Sequence, residues 1–207
     1  MATKKTQTKQ CDAKMGRPRT FEEAEALNAA MRVFWEKGYE GASLDDLTEA
    51  MGINRSSLYS TFGDKETLFQ SVLAHYAQGP AAYVHEALKK PTAREVIETL
   101  FRDTVKNLGD ATHPRGCLLL QGGLACGSGA EQVQGSLTKW RNYGLTELQK
   151  RFKQARTEGD LPKNIDPDDL ARYVSVVLNG LGIQAVNGAT AAELKRAAEL
   201  ALRSMPL

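Results

Sequence analysis

Several signatures that would announce a membrane protein or an enzyme are missing from this chain. No run approaches the roughly 18 consecutive apolar residues that a bilayer-spanning helix needs, and the N-terminus lacks the apolar core of a secretory signal. A cytoplasmic location without a membrane partner is therefore expected. There is no phosphate loop, no nucleophile elbow, no spaced carboxylate pair and no metal-ligand cluster, so neither catalysis nor a cofactor or metal is expected. His75, His85 and His113 are too scattered for ligation. Cysteine is scarce: Cys11, Cys117 and Cys126 are odd in number and form no CxxC pair, which excludes a disulfide framework and a zinc knuckle as the organising device. Net charge is nearly absent as well. At +2 the chain as a whole would attract no polyanion, so any interest in nucleic acid must be local.

Strand-like alternation is also missing at any useful length, whereas helical periodicity recurs along the chain. An all-α fold follows, and a hydrophobic content of 42% in 207 residues supports one large or two small cores. Helix starts are legible. Thr20 with Glu23, Thr92 with Glu95 and Thr190 with Glu193 fit capping boxes, in which hydroxyl and carboxylate each satisfy a backbone N–H of the first turn. Asp166-Pro167-Asp168-Asp169 supplies a capping acid, a proline whose missing N–H costs nothing, and two acids at the positive helix end. The expected helices run from about Phe21 to Lys37 (stopped by Gly38), Leu44 to Met51, Arg55 to Phe62, and from Lys65 to a kink or break at Gly79-Pro80. Beyond Pro91 they cover Ala93 to Leu108, Gly116 to Ala125, Glu131 to about Thr157, Pro167 to Asn187 and Ala191 to Arg203.

Charge is distributed unevenly. Met1 to Thr20 holds six basic residues against Asp12 alone and reads as a flexible basic arm over residues 1–19. Its Gly16-Arg17-Pro18-Arg19 resembles the core of minor-groove AT-hook peptides, in which arginines exploit the narrow A·T groove; a solvated linker is the equal alternative. Eight acids lie between Glu22 and Glu49, but none between Ala50 and Gly63. That acid-free window coincides with two short helices joined by Gly52-Ile53-Asn54, the anatomy of a helix-turn-helix. Gly52 can take the left-handed turn, Asn54 can cap the second helix, and Ile53 can staple onto Leu58. Arg55, Ser56, Tyr59 and Ser60 remain outward and suit a major groove, while Lys65 and the N–H groups of the next helix suit a phosphate.

The pattern Ala30-x-x-x-Phe34-x-x-x-Gly38-Tyr39-x-Gly41-x-Ser43-Leu44, followed by Gly52-Ile53-x-x-x-x-Leu58-Tyr59-x-x-Phe62-x-x-Lys65-x-x-Leu68-Phe69, resembles the TetR/AcrR family of transcriptional regulators over about fifty residues. The resemblance implies an N-terminal three-helix DNA-binding domain (20–66, recognition helix about 54–62), a connecting helix (67–90) and a C-terminal helical ligand-binding and dimerisation domain (91–207), with about nine helices in all. It also implies double-stranded DNA with a palindromic operator as partner, a homodimer, and a small, largely apolar effector that relieves repression. By position, Ser43, Asn54, Arg55, Ser56, Ser57, Tyr59, Ser60 and Lys65 become DNA-facing residues, joined by Arg17 and Arg19 of the arm. The sequence departs from the family at Thr61, where His or Tyr is usual.

In the second half, Phe101, Cys117, Leu120 and Leu124, with Trp140, Tyr143 and Leu148 on the long helix, are expected to line an effector pocket, although core packing would explain the same residues. Tyr173, Val177 and Leu181, with Leu194, Ala198 and Leu202, are expected at a dimer interface of two long helices. The alternative within the same family is a thiol-based sensor of oxidants or electrophiles, with His113 and Arg115 lowering the pKa of Cys117; a buried cysteine packing as a small hydrophobe is the competing reading.

Overall fold

The computed structural model describes residues 22–124 and 131–205, and within them the chain is all helical: ten helices and no strand. Helix α1 (Glu23–Gly41) is interrupted where the sequence placed its stop, because Gly38 adopts φ 69° and ψ 175°, after which the chain runs on to Gly41. Glu22 caps it through backbone conformation alone, and Thr20 of the expected capping box lies outside the described residues. The connecting segment is two helices, α4 (Lys65–Gln78) and α5 (Ala82–Leu88), separated at Gly79-Pro80; this break accounts for one helix more than expected.

The remaining elements follow the capping chemistry. Helices α6 (Ala93–Leu108) and α10 (Ala191–Arg203) begin in complete capping boxes at Thr92/Glu95 and Thr190/Glu193. Asp166 accepts from the backbone N–H groups of Asp168 and Asp169 at the start of α9 (Pro167–Val186). The long α8 (Glu131–Thr157) ends before Gly159, whose φ of 80° reverses the chain. Buried Arg151 of α8 pins the α5–α6 turn by donating to the carbonyls of Lys90 and Pro91 at 2.9 and 2.7 Å. That pairing satisfies part of a charge that burial would otherwise penalise.

Two apolar clusters hold these helices. The first gathers α1, α2 (Leu44–Met51), α3 (Arg55–Phe62) and α4 around Phe34, Leu47, Leu58 and Phe69, all fully buried, and it also takes in Leu118 of α7 (Leu118–Leu124) with Val133 and Leu137 of α8. The second packs α6, the C-terminal half of α8, α9 and α10 around Ile97, Leu100, Phe152 and Val174. At ~25 cal/mol per Å² of apolar surface, each such buried Leu or Phe contributes about 1.5–3 kcal/mol. The N-terminal helices therefore share their core with residues of the second half.

Candidate nucleic-acid interface and effector cavity

Local chemistry sets the helix-turn-helix. Ser43 and Asp46 form a capping box at α2, with Ser43 Oγ accepting from Asp46 N–H and the Asp46 carboxylate accepting from Ser43 N–H, both at 3.0 Å. The Lys37 ammonium, 2.6 Å from Asp46 Oδ1, holds that carboxyl down to about 2 together with these bonds. Gly52 turns the chain at φ 64° and ψ 28°, in the left-handed region that a side chain would resist. Asn54 then caps α3, its Oδ1 accepting from Ser57 N–H at 2.8 Å, so the Asn54 side chain positions the helix. Leu58 and Phe62 turn inward, Ile53 packs against the same cluster, and Arg55, Ser56, Tyr59 and Ser60 are left exposed.

Two contacts on this face have no signature in the sequence pattern. Arg55 Nη2 lies 2.7 Å from Asp45 Oδ1 of α2, and this pairing raises the guanidinium pKa. The window from Ala50 to Gly63 is acid-free along the chain, yet the turn brings an acid from α2 alongside it. Lys65 Nζ stands 4.5 Å above the Tyr39 ring, and partial burial lowers its pKa. Tyr39 is in turn buttressed by Phe34 and Phe69, so an aromatic shelf beneath Lys65 fixes where its charge sits. Arg17 and Arg19 lie outside the described residues.

Behind this domain a cavity of about 360 Å³ opens among α4 to α9. Of the residues expected to line a pocket, Cys117, Leu120, Trp140 and Leu148 do so. Phe101 does not: it faces the second core, and its neighbour Leu100 takes the cavity side. Tyr143, 57% exposed and packed edge-on against Trp140, instead lines a separate, more open hollow of about 560 Å³ with Gln70, Ser136 and Lys139. The side chain of Leu124 lies outside the described residues, as does Cys126. Cys117 Sγ accepts from the Tyr76 hydroxyl at 3.4 Å, whereas His113 Nδ1 meets the Pro114 carbonyl; neither His113 nor Arg115 is bonded to the thiol, and the thiol-sensor alternative gains no support.

Tyr76, buried on α4, joins cavity to DNA-binding domain. Its ring packs edge-on against Trp35 of α1 (4.9 Å, 89°), and Trp35 stacks on His113 (4.7 Å, 16°) in the segment 109–117. Arg32 of α1 donates to the Thr112 carbonyl of the same segment. On α9 and α10, Leu181, Leu194 and Ala198 are buried inside the protomer, Val177 and Leu202 are partly buried against its core, and Tyr173 is exposed. Val176, Val186 and Leu200 join Tyr173 as exposed large apolar side chains. The apolar stripe expected at a partner interface thus serves intrachain packing at five of its six positions, fully at three and partly at two, and leaves Tyr173 exposed. No group of three or more potential metal ligands occurs among the described residues, and no described helix is long and apolar enough to cross a membrane.

Residues 26–72 match the family described as bacterial regulatory proteins, tetR family. The HTH-type transcriptional repressor ComR of Escherichia coli (strain K12) is 30% identical over 205 residues, covering 97% of each chain. The uncharacterized HTH-type transcriptional regulator YezE of Bacillus subtilis (strain 168) is 34% identical, covering 78% of this chain and 84% of its own. Among solved structures, a cysteine mutant of the TetR family regulator CifR, complexed with 26 bp double-strand operator DNA, superposes with a TM-score of 0.88 at 40% identity, covering 92% of this chain and all of the other. The helix-turn-helix, a second half whose described elements are all helices, and these relatives together place the chain in the TetR family of DNA-binding transcriptional regulators.

Proposed function

We propose that this protein is a homodimeric repressor that binds a palindromic operator and is released when a small, largely apolar ligand occupies the cavity among α4 to α9. Arg55, Ser56, Tyr59 and Ser60 read or position base edges, with Ser57 and the capping Asn54 setting the start of the recognition helix. Ser43 and Lys65 hold phosphates, Ser43 from the start of α2, where its hydroxyl and backbone N–H are ordered by Asp46. Arg17 and Arg19 add minor-groove or backbone attraction. One short helix makes few base contacts, so two-fold pairing supplies the second half-site. The exposed Tyr173, Val176, Val186 and Leu200 offer apolar surface to the partner, with Val177 and Leu202 at its edge.

The observation that carries the effector reading is Tyr76, which touches the cavity, the Cys117 sulfur and the Trp35 indole at once. A ligand that displaces Tyr76 or the segment 109–117 acts on α1 without crossing a long path. Coupling then equals the ligand's preference for the DNA-incompatible arrangement. Fluorescence anisotropy on fragments from the protein's own genomic neighbourhood, run across a salt series, tests the function. A steep salt slope with retained preference for one fragment is expected; equal binding to all fragments refutes the repressor reading.

A further inference from the structure

The cavity lining divides by chemistry and by exposure. Its inner wall is leucine: Leu100, Leu108 and Leu148 are buried, and Leu119, Leu120 and Leu145 are partly so. Its outer wall is polar. Arg172, Ser175 and Asn179 follow one another at three- and four-residue spacing along α9, and Arg141 and Asn142 face them from α8. Arg172, Asn142 and Asn179 are exposed and Arg141 half-buried, so the guanidinium groups stand at the solvent end of an apolar recess.

These two cations are unmatched. Lys37, Arg55, Lys89, Arg102, Lys150 and Lys153 each have a carboxylate oxygen within 2.8 Å. Among the described residues, no carboxylate pairs with Arg141 or Arg172, Arg141 donating only to Thr138 Oγ1 at 3.3 Å, and the cavity lining contains no Asp or Glu. The nearby Tyr83 hydroxyl, bonded to Thr104 Oγ1 at 3.2 Å, is pushed up to about 12 by burial and remains a neutral phenol. Nothing in the recess neutralises the two charges.

We infer that the effector is an amphiphilic acid, whose apolar body enters the leucine recess while its anionic head group pairs with Arg141 and Arg172. This rests on the reading of the cavity as the effector site. Guanidinium forks match a carboxylate or phosphate in bidentate fashion, and an apolar surround strengthens the pairing. A neutral molecule of the same body gains only the apolar contacts.

The test measures direct binding to the full-length protein by calorimetry, using decanoate, decyl phosphate and decanol as probes of equal chain length. At least one acid is expected to bind roughly tenfold or more tighter than decanol, as hydrogen bonds to charged groups warrant. The carboxylate and phosphate arms separate the two head groups. Arg141→Met with Arg172→Met is expected to abolish the preference for the acid; if that double variant melts early, the single change Arg172→Gln at an exposed position is expected to reduce it. Decanol binding equally well or better, or a preference that survives the arginine changes, overturns the inference. Decanol binding that is lost in Leu120→Trp, which fills the recess, shows that the cavity takes ligands even when the acid class fails; binding of no probe overturns the inference and the cavity reading together.

Discussion

Removing the Lys65 ammonium tests the DNA-facing surface most sharply, because the structure fixes both where that charge sits and what holds it. Each phosphate contact neutralised on a duplex contributes a slope of about −0.9 in log affinity against log salt. The proposed dimer would lose two such contacts on Lys65→Ala, so the slope should become shallower by roughly 2, with affinity falling for all sequences alike. Tyr39→Leu keeps the charge but removes the ring 4.5 Å beneath it. Its ammonium is still present to displace counterions, so the slope should persist while affinity drops about two- to fivefold, the size of an exposed cation–π contact. Anisotropy titrations of operator and random duplexes at four or five salt concentrations separate the two effects. An unchanged slope for Lys65→Ala, or an equal slope change for Tyr39→Leu, refutes the phosphate role of Lys65 and the shelf argument with it.

Arg55→Ala is expected to reduce the ratio of operator to random-DNA affinity about ten- to hundredfold, whereas Asp45→Asn, which removes the acid now 2.7 Å from Arg55, should raise random-DNA affinity and lower that ratio in competition binding. Gly52→Ala forces a side chain into a φ of 64° and should cost on the order of 1–2 kcal/mol, read as a lowered urea midpoint. Asp46 contributes stability that is fully present above its ordinary value of 3.8 and lost as pH falls toward about 2, because its folded pKa is depressed by Lys37 and Ser43. Acid denaturation of Asp46→Asn should therefore lack the part of the wild-type profile lying in that window.

Helix limits were legible where local chemistry decides them: Thr92/Glu95, Thr190/Glu193 and Asp166-Pro167 start helices as their capping groups require, and Gly52 turns as only glycine does cheaply. What resisted reading lies between helices. Asp45 meets Arg55 because two helices cross, and no periodicity encodes that approach. Phe101 and Leu100 are equally apolar neighbours on a helix buried on more than one side, so spacing could not choose which faces the cavity. Leu181, Leu194 and Ala198 form the stripe that either a partner or the protomer's own core would demand, and here the core takes them. The Trp35–His113 stack joins distant segments and leaves no sequence trace.

Leu118, Val133 and Leu137 belong to the same apolar cluster as Phe34 and Phe69, so the four N-terminal helices α1 to α4 do not close on themselves. A fragment ending after α5 would bare a greasy flank and should aggregate or be cleaved by proteases sooner than the intact chain. The two halves are therefore expected to melt in one cooperative transition, and a molecule wedged deep in the distal half should raise the melting temperature of the DNA reader itself.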